Sequence, residues 1–397
     1  MPDNADEMRD ILKQVARDVI YFPRVFPPIH PMKSLSFFGG EPVGPAGFVW
    51  PRDPEHHEPQ LFMGQLNLED LPQIDVTKKL PRDGVMYFFA RNAYEGQVGT
   101  FLYHRGPTDA WETIPQPDDI PPTYTDNYRW NDQYAGRTPS FPKWEVRPTK
   151  ALDYPRRDEF LLNAVLEGDD AAFELFEQEQ QLLQQEATKE VVLGLRRALP
   201  EQSQEKLKPG ASKKDQTLPK VWLSIEMFCK TRDGEVPSAD HIPADVPLDD
   251  LSSEELLAYF YMRARQHDAM DEVPDREWND FERLLPKIGI SSTRWSLVAA
   301  MTIEHCLSYS SKTAAMISSE QINYVAHRHG SLHQCGGFPP ATNGHHIEND
   351  YGNYLLMHFD GLDRGQHWVF DAIIQFWIKK SDFQNEGLSS VFATLDS

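Results

Sequence analysis

His333-Gln334-Cys335-Gly336-Gly337-Phe338-Pro339 opens the stretch, running on to Asp382, whose reading decides the fold. A glycine pair followed by proline is turn chemistry. An apolar run comes next, Tyr354-Leu355-Leu356-Met357-His358-Phe359-Asp360, bounded by Gly352 and Gly361. Trp368 to Ile378 follows, rich in aromatic and β-branched side chains. Short runs of this kind between Gly, Asn and Asp read as buried strands. The order returns near the start of the chain. Phe38-Gly39-Gly40-Glu41-Pro42 precedes Leu61 to Leu68, and Gly84-Val85-Met86-Tyr87-Phe88-Phe89 closes the set. Each copy is a turn, an apolar strand with one polar interruption, a loop, and an aromatic strand. The interruptions are Gln65 and His358. The expected fold is α+β, a duplicated antiparallel β-sheet unit of two similar halves with a large helical insertion between the copies.

The boundaries follow from composition. Residues 1–157 hold an N-terminal helix and the first sheet unit with proline-rich loops. Residues 158–317 form an acidic helical insertion, and residues 318–397 carry the second sheet unit. Met8, Ile11, Leu12, Val15 and Val19 recur at helical spacing and predict a helix over 6–20, ended by Pro23. Between Pro107 and Pro148 no period is sustained, which predicts a long loop. Val221 to Phe228 reads as a strand or a buried helical turn. Ser252 with Glu255 predicts a capping box, with Leu251 and Leu256 as its staple, and Ser318 with Gln321 predicts a second.

Ser36 to Gly40, Trp50-Pro51, Phe62 to Leu68, Leu71-Pro72, Leu80-Pro81 to Phe89, His333 to Pro339, Leu355-Leu356 and Trp368 to Ile378 together resemble the YwqG-like domain of unknown function. These pieces lie in the first hundred residues and the last seventy. The sequence departs from that pattern at His358, where a glutamine is usual, and around Ala372-Ile373, where a glycine is usual. The resemblance implies a fold and no agreed enzymatic activity. Some members of the family resemble immunity proteins encoded beside antibacterial toxins.

The 397 residues carry 61 acidic against 39 basic side chains, a net charge of −22. That field disfavours direct contact with nucleic acid or an anionic membrane, which need clustered Lys and Arg, and attracts basic surfaces. The three cysteines, Cys229, Cys306 and Cys335, are odd in number and far apart, which argues against a disulfide framework and for a reducing compartment. No apolar segment reaches membrane-spanning length and the start lacks a signal-peptide pattern, so a cytoplasmic location is expected.

The sequence carries no recognised catalytic motif. His327, His329, His333 and Cys335, with His345 and His346, suggest zinc, but residues two apart point to different helix faces, and no CxxC or HExxH exists. No metal, cofactor or catalytic residue is expected. There is no phosphate loop and no nucleophile elbow. Gln65, His333, Gln334, His358 and Asp371 are the candidates for a cleft between the halves. In the insertion, Phe173, Phe176, Leu183, Ala187 and Val191 form an apolar stripe. Glu174, Glu177, Glu179, Glu186 and Glu190 face away from it, behind Asp169 and Asp170. With Tyr124 and Trp130 as aromatic anchors, these acids are the candidate partner-binding surface. The preferred reading is a non-enzymatic binder of a basic protein, a toxin encoded nearby whose nuclease groove it would cover. A small-molecule binder or enzyme using the cleft, and a regulatory scaffold, are the alternatives.

Overall fold

A computed structural model describes residues 4–32, 34–91, 98–120, 141–156, 170–196, 332–339, 352–361, 363, 373–384 and 387–396, with further positions between 247 and 325. The fold is α+β with antiparallel strand pairing. The chain divides into two compact units. The first is Met1–Pro121, Ser140–Leu199 and Arg328–Ser397, and the second is Pro122–Pro139 and Pro200–His327.

In the first unit, helix α1 covers Ala5–Val15, and Asn4 caps it by accepting a hydrogen bond from the Glu7 N–H. Met8 and Leu12 are buried, whereas Val15 is exposed. The expected continuation to Ile20 does not occur. Arg17–Tyr21 is strand β1, paired on both sides, with β10 and with β9. Val19 and Ile20 are β-branched, and the ladder bonds outweigh continuing a helical period. The other strands are β2 (Phe37–Phe38), β3 (Val43–Gly44), β4 (Leu61–Asn67), β5 (Val85–Ala90), β6 (Gly99–His104), β7 (Glu112–Thr113), β8 (Trp144–Glu145) and β9 (Thr149–Asp153). Four follow late in the chain: β10 (Gln334–Gly336), β11 (Asn353–Phe359), β12 (Ile373–Lys379) and β13 (Phe392–Asp396). The expected long loop between Pro107 and Pro148 thus contains β7 and β8, two strands too short to leave a period.

One sheet has six strands in the order β13-β12-β11-β10-β1-β9, and a second has five in the order β6-β5-β4-β2-β8. Their inner faces meet through aromatic rings set edge to face. Phe359 lies 5.3 Å from Phe38 and 5.5 Å from Phe88, and Phe88 lies 5.0 Å from Phe376. All six residues of β5 are buried, so its apolar run is continuous rather than alternating. On the outer side of the five-stranded sheet, Trp50, Phe62 and Phe89 form a second aromatic cluster.

The two sheets repeat one register. In β4–β5 the pairing shifts between Phe62 and Gly64, and in β11–β12 it shifts between Leu355 and Met357. Three residues past each shift's first member, Gln65 pairs with Phe37 and His358 pairs with Gln334. The glycines that follow, Gly39-Gly40 and Gly336-Gly337, all have φ between 64° and 70°. Gly337 is also held by packing, because a Cβ there would sit 2.6 Å from the Asp153 Oδ2.

Helix α2 (Asp170–Arg196) packs on α1 and β9 within this unit. Phe176, Leu183 and Val191 are buried as the stripe predicts, with Phe173 and Ala187 packed beside them. In the second unit the Ser252–Glu255 capping box is present. Glu255 accepts from the Ser252 N–H at 2.8 Å, and Leu251 and Leu256 are buried. Ser318, Gln321, Val221 to Phe228, Trp368 to Asp371 and the glutamate side chain at 190 fall outside the described residues. Among the described residues no helix is long and apolar enough to cross a membrane.

Candidate functional site

Tyr21-Phe22-Pro23-Arg24-Val25-Phe26 carries a single charge through an apolar segment, and that charge is fully buried. Arg24 donates Nη1–H to the Asp363 Oδ1 at 3.1 Å and Nη2–H to Oδ2, a two-pronged contact. His333 completes the cluster. Its Nδ1 accepts from the Asp360 N–H at 3.0 Å, so its proton sits on Nε2 and is donated to the Asp363 Oδ2 at 2.8 Å. Burial, then the Arg24 charge and His358, push the imidazole well below its ordinary pKa and keep it neutral. Arg24, His333 and Asp363 are each 0–1 % exposed. The cluster ties the segment after β1 to the start of β10 and to the turn after β11.

The outer face of the six-stranded sheet carries a row of polar side chains. Register places Thr149, Tyr21, Gln334, His358, Gln375 and Thr394 side by side, one from each strand. Side chains directly opposite in a ladder share a face. Tyr21 donates to Asp153 at 3.3 Å and accepts from Gln184 of α2 at 2.8 Å. Asp153 also accepts the Phe338 N–H at 2.7 Å. Burial raises the Asp153 carboxyl pKa and, with the Asp153 charge adding to it, raises that of the Tyr21 phenol.

The cleft residues expected from sequence are therefore placed as follows. Gln65 is buried, accepting from the Val43 N–H at 2.8 Å and donating to the Leu35 carbonyl at 3.0 Å. Gln334 donates to the carbonyls of Gly336 and Phe338 and so braces the glycine turn. His358 faces Gln375 at 3.4 Å. His333 belongs to the Arg24 cluster on the opposite side of its strand from Gln334. Gln65 stands in one sheet and the other three in the second. Asp371 lies outside the described residues. Arg24, Asp363, Tyr21, Asp153 and Gln375 were missed by sequence reasoning. The available signal was a lone polar residue inside an apolar run, as Arg24 and Gln375 both are.

Of the residues weighed and set aside as zinc donors, His333 donates to Asp363, and Cys335 is buried with its thiol pushed up to about 12. His327, His329, His345 and His346 lie outside the described residues. Among the described residues Asp53, Glu55 and His56 converge closely enough to hold an ion. The guanidinium of Arg91 occupies that position, contacting the Asp53 carboxylate, Glu55 at 3.4 Å and His56 at 2.8 Å.

On α2, Glu174, Glu177 and Glu186 are exposed. Glu179 is not part of that face. It is 6 % exposed and pairs with Arg9 of α1, because its place on the helix turns it toward α1. The Asp170 side chain, Asp169, Tyr124 and Trp130 are outside the described residues.

No curated protein matches this chain. Residues 36–397 match the family described as "Domain of unknown function (DUF1963)". The match takes in β2 to β13 with His333 and Asp363 and begins after β1 and Arg24, and the chain belongs to this family.

Proposed function

We propose that this protein is a non-enzymatic, cytoplasmic binder that neutralises a basic antibacterial toxin encoded nearby, covering its active-site or DNA-binding surface. One observation carries the reading. Helix α2 buries Phe176, Leu183 and Val191 against its own unit and turns Glu174, Glu177 and Glu186 outward. At 100° per residue Glu177 and Glu186 lie on opposite flanks of this 27-residue helix with Glu174 between them, so the three acids span its exposed face. Such a face complements a Lys/Arg-lined groove and steers its approach. The net charge of −22 and the resemblance to the YwqG-like family, some members of which look like immunity proteins, support the same reading. The two halves, with their shared register shift and paired left-handed glycines, are on this proposal copies of one duplicated unit, and the helical segment between them is the insertion that adds specificity. Co-expression with the adjacent open reading frames, followed by pull-down at low and high salt, tests the function. A one-to-one complex that abolishes toxin activity is expected. Recovery of no partner at either salt would overturn it.

A further inference from the structure

Asp70 stands in the first half where Asp363 stands in the second. The Asn67 N–H donates to the Ser36 Oγ at 3.0 Å, as the Asp360 N–H donates to His333 at 3.0 Å. Ser36 then donates to the Asp70 Oδ2 at 2.7 Å, as His333 donates to the Asp363 Oδ2 at 2.8 Å. The spacing is identical, since Asn67 to Asp70 and Asp360 to Asp363 are each three residues apart. Neighbouring backbone agrees. Phe22 donates to the His333 carbonyl and Val146 to the Ser36 carbonyl, both at 3.0 Å. Two residues beyond Phe22 lies Arg24. Two beyond Val146 lies Pro148, which brings no charge.

The Asp363 carboxylate thus receives a guanidinium, that of Arg24 from the N-terminal segment, and the Asp70 carboxylate receives none from the matching position. Ser34 and Ser36 are the side chains that bond Asp70, both on Oδ2, and among the described residues no cation pairs with it. Ser36 is fully buried, which fixes the carboxylate from below, while Asp70 itself is exposed. With Ser34 turned to the Ser36 carbonyl, 3.5 Å from its hydroxyl, Oδ1 and one lone pair of Oδ2 are left open, the two positions Arg24 takes on Asp363, which suits the planar fork of arginine better than the point charge of lysine.

We propose that Asp70, oriented by Ser34 and Ser36, is a docking position for a guanidinium group, and specifically for an arginine side chain on a protein partner. This deepens the binder reading by naming one contact, on a surface separate from the α2 acids. Its test needs no toxin, so the two readings fail separately. The full chain, labelled for amide resonances, is titrated with a capped Gly-Arg-Gly peptide, the Lys analogue, and free L-arginine. Saturable shifts at Ser36, Asn67 and Asp70 are expected with the arginine peptide, several-fold weaker with lysine and with the free amino acid. Asp70→Asn, whose amide oxygen still accepts from Ser36, keeps the fold and loses the shifts. Equal responses to arginine and lysine, shifts that survive Asp70→Asn, or no saturable shift would each overturn the site. Free arginine binding as tightly as the peptide would overturn its assignment to a protein side chain.

Discussion

Removing the Asp363 carboxylate leaves the Arg24 guanidinium buried with its charge uncompensated. Both side chains are 0 % exposed, so water cannot replace the lost partner. Breaking such a pair costs about 3–5 kcal/mol, because the surviving charge keeps its desolvation penalty. Asp70 provides an internal control at the matching position. It is exposed and accepts from two hydroxyls, so Asp70→Ala should cost less, about 1.5–3 kcal/mol, the scale of a hydrogen bond to a charged group. Replacing both members, as Arg24→Met with Asp363→Leu, should recover most of the loss, since a buried pair is often no better than apolar side chains of similar volume. Amide hydrogen exchange in β1, β10 and β11 is the assay of choice, because it reports the opening of these sheets separately from the second unit. An Asp363→Ala loss no larger than that of Asp70→Ala, or a double variant as unstable as the single, would refute the reasoning.

Gly337→Ala places a Cβ 2.6 Å from the Asp153 Oδ2 in a left-handed conformation, whereas Gly47→Ala meets nothing within 4 Å. The first should therefore lose more than the roughly 1–3 kcal/mol typical of backbone strain alone, read from urea midpoints, and Gly47→Ala should not exceed it. His333 gives a pH dependence of fixed sign. Its folded pKa lies below the ordinary value, so stability is complete above about pH 6.5 and falls as pH drops toward the folded value, by at most about 1.4 kcal/mol per unit. His333→Gln should flatten that slope between neutral and mildly acid pH, and an unchanged slope would contradict the neutral assignment. The Cys335 thiol, buried and pushed up to about 12, should react with a thiol reagent only on unfolding, measured with Cys229 and Cys306 replaced by serine.

The strands at Leu61 to Leu68, Gly84 to Phe89 and Tyr354 to Phe359 were legible because apolar runs bounded by glycine are local signals, whereas their order in the sheets was not. The capping box at Ser252 was legible for the same reason. The end of α1 was not, since Val15 and Val19 continue a helical period that only pairing with β9 and β10 interrupts. Gln65 and His358 could be recognised as equivalent from their runs, and they occupy equivalent ladder positions. Arg24 and Asp363 could not be joined, being 339 residues apart, and Glu179 looked like its neighbours until Arg9 was brought beside it. The equivalence of Asp70 and Asp363 depends on hydrogen bonds of two different side chains, serine and histidine, which no residue-type comparison aligns.

The binder proposal meets its most direct test in association kinetics with the basic partner it calls for, sought among the products of adjacent open reading frames and measured across a range of salt concentrations. The association rate should fall steeply as salt rises and collapse at low salt when Glu174, Glu177 and Glu186 are all changed to lysine, with the sheets intact by hydrogen exchange. A rate indifferent both to salt and to those three reversals would contradict the acidic face of α2 as the capturing surface.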